Sequence, residues 1–294
     1  MPGMGIGTPP GGDPSPGQRI PYLRSFSVLI LGGTGQARRL AEDLAGRPGL
    51  RVVTSLAGRL TTGAGPLPPG EVRRGGFGGP EGLAAWLASE GIELVVDATH
   101  PFAARISRSA VLATGDSHLL RLRRPGWEAG PGDRWLRVPD LSSAAEVVRG
   151  RGRRGRRVFL AVGRQSVAAF AGVEGVAFLL RAIEAPEGPV PPNLQVVLDR
   201  GPFTLSGELE LMRRHSLDTV VTKDSGGDAA RAKLLAAREL GLPVVMVDRP
   251  PLPGNSPVVS TVAEARDLVL AAGPGSPGNL QTGDVRHRPR WGQP

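Results

Sequence analysis

The chain has 294 residues, 40% of them apolar and 21% charged, with 43 Gly, 29 Pro and no Cys. Disorder throughout, a collagen-like repeat, a membrane-spanning helix of roughly 18–20 apolar residues, disulfides and thiolate chemistry are all excluded by that make-up. Of the net charge of +9, six come from the acid-free run Arg149–Arg157 and the rest from Met1–Arg24 and Pro274–Pro294, so the remainder is balanced and nucleic-acid binding is not expected.

The head Met1–Arg24 and the tail Pro274–Pro294 are dense in Pro and Gly. Neither can bury enough apolar surface to offset its ordering entropy, so both are expected to be disordered. The head lacks the continuous apolar stretch of a secretory signal, which points to a cytoplasmic protein without a membrane anchor.

Between them, apolar runs alternate with helical patterns. Phe26–Leu31 (FSVLIL) is the pattern of a strand buried on both faces. A helix is expected over Gln36–Ala45, with Ala37, Leu40, Ala41 and Leu44 on one face, stopped by Gly46 and Pro48. Strands follow at Leu50–Ser55, Glu71–Arg74, Leu94–Asp97 and His118–Leu122. Helices are expected at Pro80–Glu90 and Pro101–Ala113, each with a Pro in its first turn. Pro125, Gly126, Gly130, Pro131 and Gly132 then mark a domain boundary.

The second half repeats the style. Strands are expected at Arg157–Val162, Ala177–Ile183, Gln195–Leu198, Thr219–Thr222 and Pro243–Val247. Helices are expected at Ser142–Arg149, Gln165–Ala171, Leu205–His215, Asp228–Leu240 and Val262–Ala272, the last capped by Ser260 or Thr261. The expected fold is α/β: two lobes of mostly parallel sheet, over residues 25–125 and 126–273, with a ligand cleft between them at the strand C-terminal ends.

The strongest local signal is Gly32-Gly33-Thr34-Gly35-Gln36, between the first strand and the first helix. Glycines there permit a tight turn and let backbone N–H groups approach a pyrophosphate at the helix N-terminus, as in dinucleotide-binding folds; a plain strand-to-helix turn is the competing reading. The second strand ends in Ser55-Leu56-Ala57-Gly58-Arg59, with a hydroxyl and an Arg where an acid would hold the ribose of NADH. This favours a 2′-phosphate, hence NADPH, with Arg59 as an ordinary loop cation the alternative. Gly75-Gly76-Phe77-Gly78-Gly79 reads as a loop able to lie flat on a ligand, with a merely flexible loop the competing reading. Asp97-Ala98-Thr99-His100-Pro101-Phe102-Ala103 follows the fourth strand, where Thr99 and His100 either face the cleft or cap the next helix.

These stretches, with LRLRRPGW, VGRQSVAAF, RGPFTLSGE, VTKDSGG and the segment ending PVVMVDRPPLP, resemble the precorrin-6A reductase family of cobalamin biosynthesis over roughly Phe26–Ala272. The resemblance implies two Rossmann-like lobes and an NADPH-dependent oxidoreductase. It would reduce a double bond of precorrin-6A, a tetrapyrrole-derived polycarboxylate macrocycle, with no metal and at most transient contacts to neighbouring pathway enzymes. A cobalt-precorrin-6A reductase, a non-catalytic dinucleotide-binding module and an S-adenosylmethionine-dependent methyltransferase are the alternatives. Two positions depart from the family pattern: Gln36, where relatives more often carry an acid, and Asp224, often Asn.

The expected cofactor contacts are Gly32, Gly33, Thr34, Gly35, Gln36, Ser55, Arg59, Gly76, Phe77 and Thr99. A polycarboxylate calls for cations and backbone N–H groups, and Arg can grip a carboxylate with paired hydrogen bonds. The expected substrate contacts are His100, Arg105, Arg123, Arg164, Lys223, Asp224, Ser225, Gly226 and Gly227. Lys223 stands out in a chain with 34 Arg and 2 Lys. His100 and Lys223 are the candidate catalytic groups, with bound water as the alternative proton donor.

Overall fold

In the computed structural model, residues 25–57, 67–150 and 155–273 are described. The head, the tail, Gly58, Arg59 and residues 151–154 of the arginine run lie outside them.

The first lobe begins with β1 (Phe26–Leu31), α1 (Gly35–Leu44), β2 (Leu50–Leu56), β3 (Glu71–Arg74), α2 (Pro80–Glu90), β4 (Leu94–Asp97), α3 (Ala104–Thr114) and β5 (Leu119–Leu122). The chain then crosses to β6 (Trp135–Val138), α4 (Leu141–Gly150), β7 (Arg156–Ala161), β8 (Val176–Ala182), β9 (Leu194–Leu198), α5 (Leu205–Arg214), β10 (Thr219–Lys223), α6 (Ala232–Glu239) and β11 (Val244–Val247). It finishes with β12 (Val258–Val259) and α7 (Val262–Ala272).

Each lobe is built on a six-stranded sheet, ordered β12-β5-β4-β1-β2-β3 in the first and β6-β11-β10-β7-β8-β9 in the second. Every strand pair is parallel. In the first lobe the chain runs outward from β1 to β3, then crosses to β4 on the other side. In the second it does the same from β7 to β9 and across to β10. Strand order therefore reverses between β1 and β4, and again between β7 and β10. Such reversals leave a crevice at the strand C-terminal ends, because the two following connections depart to opposite faces.

Parallel sheets need apolar cover on both faces. In the first lobe α1 and α7 cover one face, with Leu40, Ala41, Leu44, Ala265 and Val269 packed on β1 and β4. On the other, Leu83, Leu87 and Ala110 from α2 and α3 pack on Leu29, Leu31 and Val95. In the second lobe α4 and the 3₁₀ turn Arg164–Phe170 cover one face, and α5 and α6 the other. A fully buried Leu in such a core contributes roughly 1.5–3 kcal/mol.

The final segment corrects the expected domain division. Val258 and Val259 pair with Arg121 and Leu122 of the first sheet, and α7 packs beside α1. The C-terminal part of the expected second domain, 126–273, thus returns to the first lobe. Its apolar face of Ala265 and Val269 fills a surface that the first lobe alone leaves open. Thr261 caps α7 in a reciprocal box with Glu264, which resolves the choice between Ser260 and Thr261.

Two further expectations change. α3 starts at Ala104, not Pro101, so Thr99 and His100 sit in a loop rather than capping a helix. The Asp228–Leu240 helix is divided into a 3₁₀ turn at Asp228–Ala230 and α6. The edge strands β6 and β12 carried no clear pattern in the sequence: the first is largely exposed and the second has two residues.

Candidate functional site

The two crevices open onto two adjoining clefts. The first, of about 950 Å³, is lined by Gly32 and Gly33 after β1, Ser55 and Ala57 at the end of β2, the glycine loop Gly75–Gly79, and Thr99, His100 and Phe102 after β4. The second, of about 490 Å³, lies in the other lobe between Val162–Ser166, Arg181–Glu184, Phe203, Lys223, Ser225 and Lys233. His100 and Gln165 line both. One comes from the first lobe and one from the second, so the wall between the clefts is built from both lobes.

The glycine turn is shaped for a close approach. Gly33 has φ +102°, a conformation that L side chains rarely adopt. A Cβ on Gly32 would meet Thr54, Ser55 and Leu56 at 3.1–3.3 Å. Thr34 caps α1 by accepting from the Ala37 N–H, and its hydroxyl donates to the Ala98 carbonyl at 2.7 Å. Helix geometry leaves the N–H groups of Gly35 and Gln36 without an intrahelical acceptor. The Thr34 side chain is thus spent on the scaffold. The Gln36 side chain is too, donating to the Ser260 carbonyl at 3.1 Å and tying α1 to the returning C-terminal segment.

The Gly75–Gly79 loop is held from behind by Arg73. Its guanidinium donates to the carbonyls of Gly75 and Gly76 at 2.7 Å each and lies 3.7 Å from the Phe77 ring centroid. Phe77 packs edge-on against Trp86. Gly82, in the first turn of α2, is obligatory: an added Cβ would fall 1.8 Å from the Phe77 carbonyl oxygen.

His100 is a point of contact between the two lobes. The Phe102 N–H donates to its Nδ1 at 3.2 Å, so the proton resides on Nε2, which lies 3.1 Å from Ser225 Oγ. Burial, then the positive charges of Arg124, Lys223, Arg249 and Lys233, push the imidazolium down to about 4. His100 is therefore a neutral hydrogen-bond donor at pH 7. Phe102 packs into the second lobe's core, and Lys223 Nζ lies 5.3 Å from its ring centroid. Burial lowers the Lys223 pKa below the usual lysine value, and no carboxylate pairs with it among the described residues.

The remaining expected residues fall elsewhere. Thr99 lines the first cleft and donates from Oγ1 to Asp97 at 2.6 Å. Arg105 projects from the exposed side of α3 and lines the first cleft. Arg123 lines neither large cleft; it borders a small cavity beside Arg121 and Pro250–Pro253. Arg164 lines the second cleft and pairs with Glu184 at 2.8 Å and Glu187 at 3.2 Å.

Asp224, Gly226 and Gly227 line neither of the two clefts. Asp224 is buried, accepts from the Trp127 N–H at 2.9 Å, and pairs with Arg137 at 3.0 Å. Arg249 donates to the backbone carbonyls of Asp224, Arg124 and Pro125. A Cβ on Gly226 would meet the Pro125 carbonyl at 2.2 Å. The turn clamps the first crossing between the lobes, because its positive φ at both glycines brings its backbone against Arg124 and Pro125.

Sequence reasoning missed Lys233 and Arg181. Lys233 sits inside a helix whose pattern reads as ordinary, yet it is 5% exposed and lines the second cleft. The scarcity of Lys was the available signal: both lysines of the chain line this one cleft.

Comparison with known proteins gives a consistent result. The family model described as "Precorrin-6x reductase CbiJ/CobK" matches residues 27–270. A precorrin-6A reductase of Rhodococcus erythropolis is 49% identical over 240 residues, covering 81% of this chain and 95% of that protein. One of Rhodobacter capsulatus is 47% identical, covering 78% and 90%. A cobalt-precorrin-6A reductase of Methanothermobacter thermautotrophicus is 28% identical, covering 76% and 77%. A solved structure titled "CobK precorrin-6A reductase" superposes with a TM-score of 0.75 at 42% identity, covering 83% of this chain and 96% of that one.

Proposed function

The chain belongs to the precorrin-6x reductase family, and from that premise we propose that it reduces a macrocycle double bond of precorrin-6A with NADPH bound in the first cleft. The observation that carries this reading is the junction of the two clefts at His100 and Gln165, with glycine loops on one side and lysines on the other.

The first cleft fits a dinucleotide. Gly32 and Gly33 let the backbone come close, the orphan N–H groups of α1 favour a pyrophosphate, and Gly76, Gly78 and Phe77 supply a flat wall. Ser55 and the absence of an acid at the end of β2 favour a 2′-phosphate. When bound, NADPH supplies the hydride.

The protein's own residues place the second reactant. The Lys223 ammonium attracts a carboxylate arm and lies close enough to the junction to affect His100. His100, fixed as a neutral donor by Phe102 and Ser225, keeps the wall between the clefts in one geometry. Positioning of this kind can supply roughly 7–11 kcal/mol of a barrier. Lys223 is also the group placed to deliver the proton that the neighbouring carbon needs, since burial lowers its hold on that proton.

Identity of 47–49% to precorrin-6A reductases against 28% to the cobalt-precorrin relative favours the cobalt-free substrate. The test is NADPH consumption by the purified protein with precorrin-6A, with cobalt-precorrin-6A and NADH as comparisons. NADPH with the cobalt-free macrocycle is expected to give the highest kcat/KM.

A further inference from the structure

The glycine loop after β3 turns two successive carbonyls away from the cleft it lines. The Gly75 and Gly76 carbonyls both accept from the Arg73 guanidinium, from Nη1 and Nη2 at 2.7 Å each. The loop lines the first cleft and Arg73 does not. The guanidinium therefore stands behind the loop, with the cleft in front.

A trans peptide group is planar, and its N–H points opposite to its C=O. The Gly75 carbonyl shares a peptide with the Gly76 N–H, and the Gly76 carbonyl with the Phe77 N–H. Fixing both carbonyls on one guanidinium thus aims both N–H groups away from it, toward the cleft. Neither N–H has an acceptor among the described residues. Successive N–H groups held on one side of a turn form a concavity suited to an anion. The turn depends on Gly75, whose φ of +108° L side chains rarely adopt.

The charge behind the loop has the matching sign. Arg73 is half-buried, burial pushes its pKa down, and no carboxylate pairs with it among the described residues. The Phe77 ring covers one face of the guanidinium at 3.7 Å, with the Trp86 ring 5.5 Å away. Desolvating an unpaired cation is costly. The two carbonyls offset part of that cost, and an anion on the far side of the same peptides would offset more. A hydrogen bond to a carbonyl also polarises its peptide and strengthens the N–H as a donor.

We propose that Arg73 is a positioning residue for the dinucleotide: without touching the cofactor, it fixes the Gly76 and Phe77 N–H groups as donors to one of its phosphates. This deepens the functional reading above and rests on it. The 2′-phosphate and the bridging pyrophosphate present the same anionic oxygens to such a pair, and the experiment separates them.

The experiment is calorimetric titration of NADPH and NADH into the full-length protein without macrocycle, with amide hydrogen exchange measured with and without NADPH. In the wild type, NADPH is expected to slow exchange at Gly76 and Phe77. Arg73→Met is expected to weaken NADPH binding by about tenfold or more and to abolish that protection, while precorrin-6A affinity holds. Arg73→Lys keeps the charge without the fork and should bind NADPH only about threefold more weakly than wild type. An equal loss for NADH assigns the N–H pair to the pyrophosphate; a loss for NADPH alone assigns it to the 2′-phosphate. Should Arg73→Met fail to fold, Arg73→Gln reads the same contrast. Wild-type NADPH affinity in the neutral variant, unprotected Gly76 and Phe77 amides in the NADPH-bound wild type, or a matching loss of precorrin-6A affinity overturns the proposal. Wild-type protein that binds no NADPH overturns the functional reading instead.

Discussion

His100 of the first lobe and Ser225 of the second, 125 residues apart in the chain, meet with Nε2 and Oγ 3.1 Å apart. The bond is directional: Phe102 occupies Nδ1, leaving the Nε2 proton for Ser225. It is the contact through which the DATHPFA loop grips the VTKDSGG turn. Ser225→Ala removes the acceptor and should cost about 1 kcal/mol of interaction. A fall in kcat of roughly fivefold is expected from looser alignment, with NADPH affinity unchanged. Steady-state kinetics and a cofactor titration check it; an unchanged kcat contradicts a positioning role for the bond.

Acid should weaken the fold through His100. Its unfolded pKa is 6.5 and its folded value about 4. Between those values the unfolded state binds the extra proton, so stability falls as pH drops through this window, by about 3 kcal/mol in all. His100→Gln should remove this component. Urea midpoints of wild type and variant at pH 7.5 and 4.5 give the difference, and a difference independent of pH sinks the assignment.

Gly82 sustains the glycine loop from behind. Gly82→Ala drives the Phe77 carbonyl away from its present place. The displaced loop should raise the KM for NADPH about tenfold or more while macrocycle affinity holds. Loss of macrocycle affinity with normal NADPH binding would place the cofactor in the wrong cleft.

Asp224 anchors the crossing between the lobes. Asp224→Ala leaves Arg137 and Arg249 without their shared carboxylate and the Trp127 N–H without an acceptor. Breaking a buried pair costs up to 3–5 kcal/mol, and the partly exposed Arg137 brings the expected loss to about 3. Asp224→Asn keeps an acceptor and should cost less than half of that. Denaturant unfolding distinguishes them; equal midpoints for the two variants and wild type contradict the anchoring role.

The fold was legible in the sequence wherever burial was two-sided. FSVLIL, RVFLAV and PVVMV are continuous apolar runs because helices cover both faces of their sheets. Two of the four edge strands, Trp135–Val138 and Val258–Val259, carried no readable pattern, the first with only Val138 buried and the second with two residues. The return of α7 to the first lobe escaped for a different reason. Its apolar face carries no mark of which lobe it covers; the pairing of β12 with β5 and the Gln36–Ser260 bond tie it to the first.

The site was legible as a set of loops at strand ends, and less so as individual contacts. Gly32, Gly33, Ser55, Phe77, His100 and Lys223 line the clefts as residue types in those loops suggest. Thr34, Gln36 and Asp224 carry the right chemistry but spend it on the scaffold, as a cap, a tether and an anchor. Which of these a polar side chain does depends on partners far along the chain, and no local pattern encodes them. Arg59 lies outside the described residues.

In the proposed reaction, cofactor and macrocycle lie in adjoining clefts and meet at their junction beside His100 and Gln165. Incubating the purified protein with precorrin-6A and NADPH dideuterated at the nicotinamide C4, followed by mass spectrometry of the product, tests it most directly. One deuterium carried into the reduced macrocycle, undiluted by solvent hydrogen, is expected. A reduced macrocycle without deuterium, or no consumption of NADPH in its presence, contradicts the account.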